Sequence, residues 1–444
     1  MIKSKHIKGI QGLLGSKGTL KITEEQWFML SAMIVNVGNY LYNLIIGRML
    51  GPVGFADASL LVTMLLVLSF LAMTFQLTAA KFTAEMDEAK SHSLLKSMNR
   101  FGLIIGMVIM LGVSTFARSL QQFFQSETMW MYVIFAMSVP LYFLMSIGRG
   151  YVQGSRSFTK LSMSYQLEML IRLCGTVALL RLLNVEPGIS ISLGILASIA
   201  LGSLPIRKRT NDRAMESFSL TKTLWVFAAY TLMYELSQVL INNTDILLVK
   251  HYFSAEEAGL YAALAMIGRV VFFIAWMFAM ILLPHVIAAE KAGKDSRTLL
   301  WKYVSYTSVL GAIITGASYL IPDVIVHILF GSAYTEIAPL LWLYALATSL
   351  FAVANMFAYY FLSRSMYRPI YLTFIVGLLQ VIGLIAFHAS LYQVVILQVV
   401  LMAILLMVQV AHYIHYSKSV IKRRYIGTVL SLTETELPLT EDKL

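Results

Sequence analysis

Long apolar runs alternate with short polar links along the whole chain. A helix needs about 20 predominantly apolar residues to cross a hydrocarbon core. The sequence offers twelve such runs: 27–47, 58–79, 100–117, 129–149, 161–183, 188–206, 223–246, 258–284, 302–322, 338–362, 369–388 and 393–416. Their edges carry local signals. Thr23 to Gln26 (TEEQ) and Ser254 to Glu257 (SAEE) are capping-box patterns ahead of the first and eighth runs. Gly51-Pro52 and Glu186-Pro187-Gly188 are turn chemistry. Pro205, Pro284 and Pro322 close runs, Pro339 and Pro369 open them, and Pro140 lies well inside one, where a kink is expected. The pattern predicts an all-α polytopic membrane protein with twelve transmembrane helices.

Composition agrees. Of 444 residues, 58% are hydrophobic and 13% charged, with a mean hydropathy of +0.75; soluble domains are about a quarter charged. The net charge of +11 does not call for a nucleic acid partner, because the links hold it in alternation. With the N-terminus taken as cytoplasmic, the cytoplasmic links carry 28 of the 34 Lys and Arg, and the opposite links carry only Arg48, Arg118, Arg181 and Lys250. That asymmetry orients both termini toward the cytoplasm in a cell membrane. Residues 1–26 are basic and lack the apolar core of a cleavable signal. Met1 to Leu14 fits either a short interfacial helix or a disordered basic tail. The longest links are short, and 323–337 is the longest external one; none could fold as a catalytic domain. Cys174, the single cysteine, cannot form an internal disulfide and is expected to pack.

The most polar internal link, 207–222, separates six runs from six. The expected units are a basic segment 1–26, an N-lobe 27–206, the linker 207–222, a C-lobe 223–416 and a cytoplasmic tail 417–444. Equal, even numbers of spans imply a parallel repeat. Asn36, Asn39 and Asn43 in span 1 and Glu235, Gln238 and Asn242 in span 7 form equivalent i, i+3, i+7 stripes, offset by 199 residues. Such stripes face protein or water rather than lipid. They either glue the bundle by interhelical hydrogen bonds or line a shared internal space.

Residues 245–273 read DILLVKHYFSAEEAGLYAALAMIGRVVFF. This resembles the span 7–8 region of polysaccharide-export flippases in the multidrug/oligosaccharidyl-lipid/polysaccharide exporter superfamily. NLIIGRMLGPVGFADASLL (43–61) looks like that family's first hairpin, and GYVQGSRSFTKLSMSYQLEMLIRL (150–173) like its link from span 4 to span 5. The resemblance implies two six-helix lobes in a V, with helices 1, 2, 7 and 8 bordering a cavity that opens to either side in turn. It implies flipping of an undecaprenyl-diphosphate-linked oligosaccharide for export of a cell-surface polysaccharide. Arg269 best matches the midplane arginines that related lipid II flippases use for the diphosphate.

The ionisable residues within the spans set the chemistry. A diphosphate headgroup needs a wet path and donors for its oxygens, and arginine supplies them. Arg172, Glu235 and Arg269 each fall about 15–18 Å from a membrane face at 1.5 Å per residue. Arg269, Arg172, Asn36, Asn39, Asn43, Gln238 and Asn242 are the cavity candidates, and Glu235 and Glu168 the ion-coupling ones. Glu168 and Arg172 stand at i, i+4 and either pair structurally or line the cavity. Arg269 could instead pair with Glu235 across the lobes. Asp245 is expected to cap its helix or pair with Lys250; His388, His412 and His415 fall near span ends, where snorkelling is the expectation. No cofactor is expected beyond coupling to an H+ or Na+ gradient; the partners are the lipid-linked glycan and membrane lipids, and a monomer suffices. The four charges Glu168, Arg172, Glu235 and Arg269 sum to zero, which keeps an ion-coupled multidrug/cation antiporter open as a rival. A membrane oligosaccharide polymerase or ligase is a second rival, and would need an external catalytic loop.

Overall fold

The computed structural model describes residues 24–86, 88–206, 222–292, 294–364, 366 and 368–435. The expected N-terminal capping box and basic segment, most of the linker 207–222 and the end of the tail lie outside the described residues. Among the described residues the chain is all-α: α1 Glu24–Glu85, α2 Glu88–Thr115, α3 Ala117–Phe123, α4 Trp130–Gly154, α5 Phe158–Leu182, α6 Pro187–Gly202, α7 Lys222–Tyr252, α8 Ala255–Gly268, α9 Val270–Lys291, α10 Arg297–Leu320, α11 Pro322–Leu329, α12 Ala338–Ser363, α13 Arg368–Ala386 and α14 Leu391–Thr435.

Every expected span overlaps these helices, several of them overrunning a helix end or crossing a break by a few residues. Spans 1 and 2 run together as α1, which breaks only at Gly51, where φ is +67°. That left-handed value favours glycine, and Pro52 restarts the helix, where a missing N–H costs little. Span 8 is divided into α8 and α9 between Gly268 and Val270. Among the described residues, eight helices are long and apolar enough to cross a membrane, or nine if the pair α10 and α11, bent by 94°, is one span. One of these, Leu30–Ala84, is 55 residues long, enough for two crossings about the Gly51 break. The helices α5 and α7, of 25 and 31 residues, are not among them; both carry interior ionisable groups. The link 323–337 is helical, formed by α11 and a 3-10 turn at Ser332–Ile337.

The helices pack as two six-span bundles with the same internal plan. In the first half α4 is central, touching α1, α2 and α6; in the second α12 is central, touching α8, α9, α10 and α14. Spans 5 and 6 pair as α5 on α6, and spans 11 and 12 as α13 on α14. Span 5 rests on α1, and span 11 correspondingly on α7. The parallel repeat is therefore visible in the packing. It recurs in detail: Asn43 Nδ2 donates to the Asn39 carbonyl and Asn242 Nδ2 to the Gln238 carbonyl, at 2.9 and 3.0 Å.

Glycines set the closest helix approaches. A Cβ on Gly150 would lie 2.2 Å from the Gln76 carbonyl oxygen, and one on Gly154 2.5 Å from that of Ala80. This four-residue spacing of small residues draws α4 onto α1. Pro140 sits inside α4 facing Gly106, where a Cβ would come within 2.6 Å of its Cα.

Candidate functional site

The halves meet mainly through α1, which touches α7, α8 and the Ser332–Ile337 turn. The hydrogen bonds, ion pairs and ring contacts that join them gather at the face with few Lys and Arg. Lys250 Nζ lies 2.9 Å from Asp57 Oδ1, with both side chains almost fully buried. Arg48 donates to the carbonyls of His327, Ile328 and Leu329, completing the C-terminus of α11 from the opposite half. The Tyr334 hydroxyl donates to the Gly47 carbonyl at 2.8 Å, and Phe330 packs on Phe55. His251 stacks on Phe123, while Gln125 donates to the His251 carbonyl. At Gly259 the backbones themselves touch: a Cβ there would stand 1.8 Å from the Pro52 carbonyl oxygen. Burial and the nearby carboxylates of Glu127 and Asp57 push the Glu186 carboxyl, in the link before α6, above its ordinary range, so the surroundings of Lys250 are acidic. Toward the other face the apolar side chains Met33, Val37 and Leu41 of α1 and Leu232 and Leu236 of α7 are exposed.

Midway through the first half lies a cluster of three charges. Glu168 Oε2 is 2.8 Å from Arg149 Nη2, and Glu168 Oε1 is 3.5 Å from Arg172 Nη1. Arg149 is held from all sides. Its Nε donates to Ser164 Oγ at 2.9 Å, its guanidinium lies 3.9 Å above the Tyr165 ring, and Ser164 in turn donates to the Gly202 carbonyl. Arg172 reaches the other way, donating to Asn39 Oδ1 on span 1 and lying over the Tyr42 ring. Gly38 admits the Met169 side chain, whose Sδ would stand 2.5 Å from a Cβ there, so α5 sits close enough on span 1 for that bond. The expected Glu168–Arg172 pair exists, but the carboxylate is shared and its shorter contact goes to Arg149. The cluster carries one net positive charge, because two guanidiniums surround one carboxylate.

The second half holds a different arrangement. Asp245 accepts from Arg269 Nη2 at 2.7 and 2.9 Å, from the hydroxyls of Tyr344 and Tyr261 at 2.8 and 3.0 Å, and from Gln398 Nε2 at 3.2 Å. Arg269 also donates from Nε to the Tyr344 hydroxyl at 3.0 Å. The absent side chain of Gly268 makes room: a Cβ would be 2.4 Å from the Tyr344 ring. Two expectations are corrected here. Arg269 does not pair with Glu235; its partner is Asp245, and the guanidinium turns into its own half toward α7 and α12. Asp245 does not pair with Lys250, which crosses to Asp57. In this state Arg269 commits its Nε and Nη2 donors to its own half.

Glu235, half-buried on α7, has no hydrogen-bond or ion-pair partner among the described residues. Asn36 is exposed on span 1, and Asn39 and Asn43 are half-buried beneath it. Gln238 is buried with its Nε2 unpartnered, and Asn242 is half-buried beside Arg269, lining with Gln380 and Gln398 a cavity of about 20 Å³. His388 stacks on Tyr252 and His412 meets Phe361 edge to face. Cys174, expected to pack inside, is exposed on α5. Among the described residues no group of three or more His, Cys, Asp or Glu could hold a metal ion.

The family model described as "Polysaccharide biosynthesis protein" matches residues 26–288, more than half of the chain. The chain belongs to the polysaccharide biosynthesis protein family. No curated protein matches it significantly. In fold it is similar to an inward-facing multidrug resistance MATE family transporter of the MOP superfamily, with a TM-score of 0.69 at 14% identity over 85% of this chain and 95% of that one. It is similar to the lipid II flippase MurJ in an inward closed conformation, with a TM-score of 0.68 at 14% identity over 88% and 87%. A MOP superfamily transporter from Pyrococcus furiosus follows at 0.58 and 14% identity, over 86% and 91%. This polysaccharide biosynthesis family member therefore has a membrane-transporter fold of the kind the sequence resemblance implies.

Three groups in this family member escape a reading by spans. Arg149 counts as a charge on the rim, because it closes an apolar run; only the fold turns it inward. Asp57 and Lys250 lie in different links, and no spacing relates them. Tyr261, Tyr344 and Gln398 look like ordinary span residues until Asp245 gathers them.

Proposed function

We propose that this protein flips a lipid-linked oligosaccharide, of the undecaprenyl-diphosphate type, across the cell membrane by alternating access, in the export of a surface polysaccharide. The Lys- and Arg-rich face is the cytoplasmic one by the positive-inside rule. The face sealed by Asp57–Lys250, Arg48 and Gly259–Pro52 is then external, and the present state faces inward. The substrate enters from the inner leaflet with its lipid tail still in the bilayer. Its charged headgroup moves along span 1 between the halves. Opening the sealed face and closing the other delivers it outside. A monomer suffices, since both halves come from one chain.

The observation that carries this reading is the net positive cluster at Arg172, beside the span 1 asparagines at mid-depth. An anionic diphosphate finds a guanidinium and amide donors there. Counting Arg149 makes the first-half cluster net positive, while Asp245 offsets Arg269 in the second half. A cation antiporter calls for unpaired acidic groups in that place, and Glu168 there is paired with two arginines. The short external helices are taken up in sealing the halves, which disfavours a polymerase or ligase. Glu235 is the ion-coupling candidate, because Asp245 and Glu168 are both held by arginines. Glu235→Gln should abolish the response of transport to a protonophore or to sodium removal; an unchanged response removes Glu235 from coupling. The reading itself is tested by deleting the gene and extracting lipid-linked sugars. Accumulation of a diphosphate-linked oligosaccharide in the inner leaflet is the expected result, and an unchanged pool contradicts it.

A further inference from the structure

We infer that Arg149 is the positioning residue that keeps Arg172 free for an anion, and so fixes the sign of the ligand the first half accepts. The inference rests on the proposed function and names how its site is made selective. Three observations carry it.

The carboxylate is unequally shared. Glu168 stands 2.8 Å from Arg149 and 3.5 Å from Arg172. Charge interactions strengthen as distance shrinks and as water is excluded. The inner pair is the drier one, with Arg149 only 3% exposed against 11% for Arg172. Arg149 therefore makes the closer and drier ion pair with Glu168, while Arg172 reaches the same carboxylate with a long hydrogen bond.

The two arginines also point in opposite senses. Arg149 is anchored to Ser164 and Tyr165, and through Ser164 to the Gly202 carbonyl of α6. None of those groups belongs to span 1. Arg172 extends instead to Asn39 and Tyr42, both on span 1. An anion approaching along the span 1 asparagines meets Arg172 first and never touches Arg149.

Removing Arg149 does not break the fold's accounting of charge. Glu168 and Arg172 are i, i+4 on one helix and can close on each other. The cluster then becomes neutral, with Arg172 drawn back to the carboxylate. A buried arginine whose only role was to neutralise Glu168 would be redundant, since Arg172 already stands within reach. Its presence makes the difference between a zwitterionic pair and a net cation. Guanidinium bonds to charged groups contribute about 1.5–3 kcal/mol each, so their loss is measurable.

The test measures binding of undecaprenyl diphosphate to the purified full-length protein in detergent, with undecaprenol as the neutral control. Arg149→Met should weaken diphosphate binding by at least about ten-fold and leave undecaprenol binding unchanged. The double variant Arg149→Met with Glu168→Gln restores the net positive charge and should return binding to near the unaltered value. A role confined to packing predicts no such rescue. Equal binding by Arg149→Met, or a folded double variant that stays weak, overturns the inference. Should Arg149→Met fail to fold, Glu168→Gln alone decides: binding at least as tight as in the unaltered protein supports the inference, and weaker binding or loss of fold overturns it. Absence of diphosphate binding by the unaltered protein is a separate outcome, which defeats the proposed function rather than the role of Arg149.

Discussion

Asp245 accepts hydrogen bonds from four side chains, and Arg269 gives it two of them. Such a pair is costly to bury and costly to break, because removing one partner strands the other charge away from water. Arg269→Ala should therefore destabilise the protein by about 3–5 kcal/mol, read as a lowered melting temperature in detergent. Arg269→Met combined with Asp245→Asn should recover most of it. A single variant that melts like the unaltered protein would show that the pair is not structural. The contrast with Arg172 is instructive. Both arginines look alike in sequence, each placed near the middle of an apolar run. What separates them is the supply of partners. Asp245, Tyr261, Tyr344 and Gln398 come from four helices of one half, and no local spacing brings them together. Arg172 has Glu168 four residues away, which a helix reveals, but the competing Arg149 belongs to another helix.

The hairpins joining spans 1 to 2 and 7 to 8 are the elements on which the halves are hinged together. Gly51 turns the first with a positive φ, and Ser254 with Glu257 forms a reciprocal capping box that starts the second. Both signals were legible, because turn and capping chemistry is local. Their mutual packing was not, since it depends on Pro52 reaching Gly259. The Asp57–Lys250 pair at this seam fixes register more than it supplies strength, because on opening both charges regain water. The backbone contact at Gly259 is less forgiving. Gly259→Ala places a methyl group against the Pro52 carbonyl and should shift the protein toward the state open on this side. Spin labels on Gln122 and Glu256, both exposed, should report a longer distance in that variant, in a background where Cys174 is replaced. An unchanged distance distribution would mean that the seam yields locally without separating the halves.

Across the whole molecule, the twelve apolar runs, their grouping into two sixes and the asymmetry of Lys and Arg define the architecture, since the bilayer demands length and internal hydrogen bonding of every span. The lengths were imprecise: α1 runs from Glu24 to Glu85 and α14 continues to Thr435, because helices outlast the apolar stretches that cross the lipid. The halves share a packing plan but not a charge. The first presents a net cation at Arg172; the second neutralises its arginine and leaves Glu235 without a partner among the described residues. Under the proposed function, that division gives the anionic headgroup to one half and any coupling ion to the other. The most direct test uses vesicles reconstituted with the protein and a fluorescent undecaprenyl-diphosphate oligosaccharide, followed by quenching from outside. Transfer between leaflets is expected with the unaltered protein and is expected to vanish with Arg172→Gln inserted at the same level. Transfer that persists undiminished in Arg172→Gln, or none with the unaltered protein, would contradict the account.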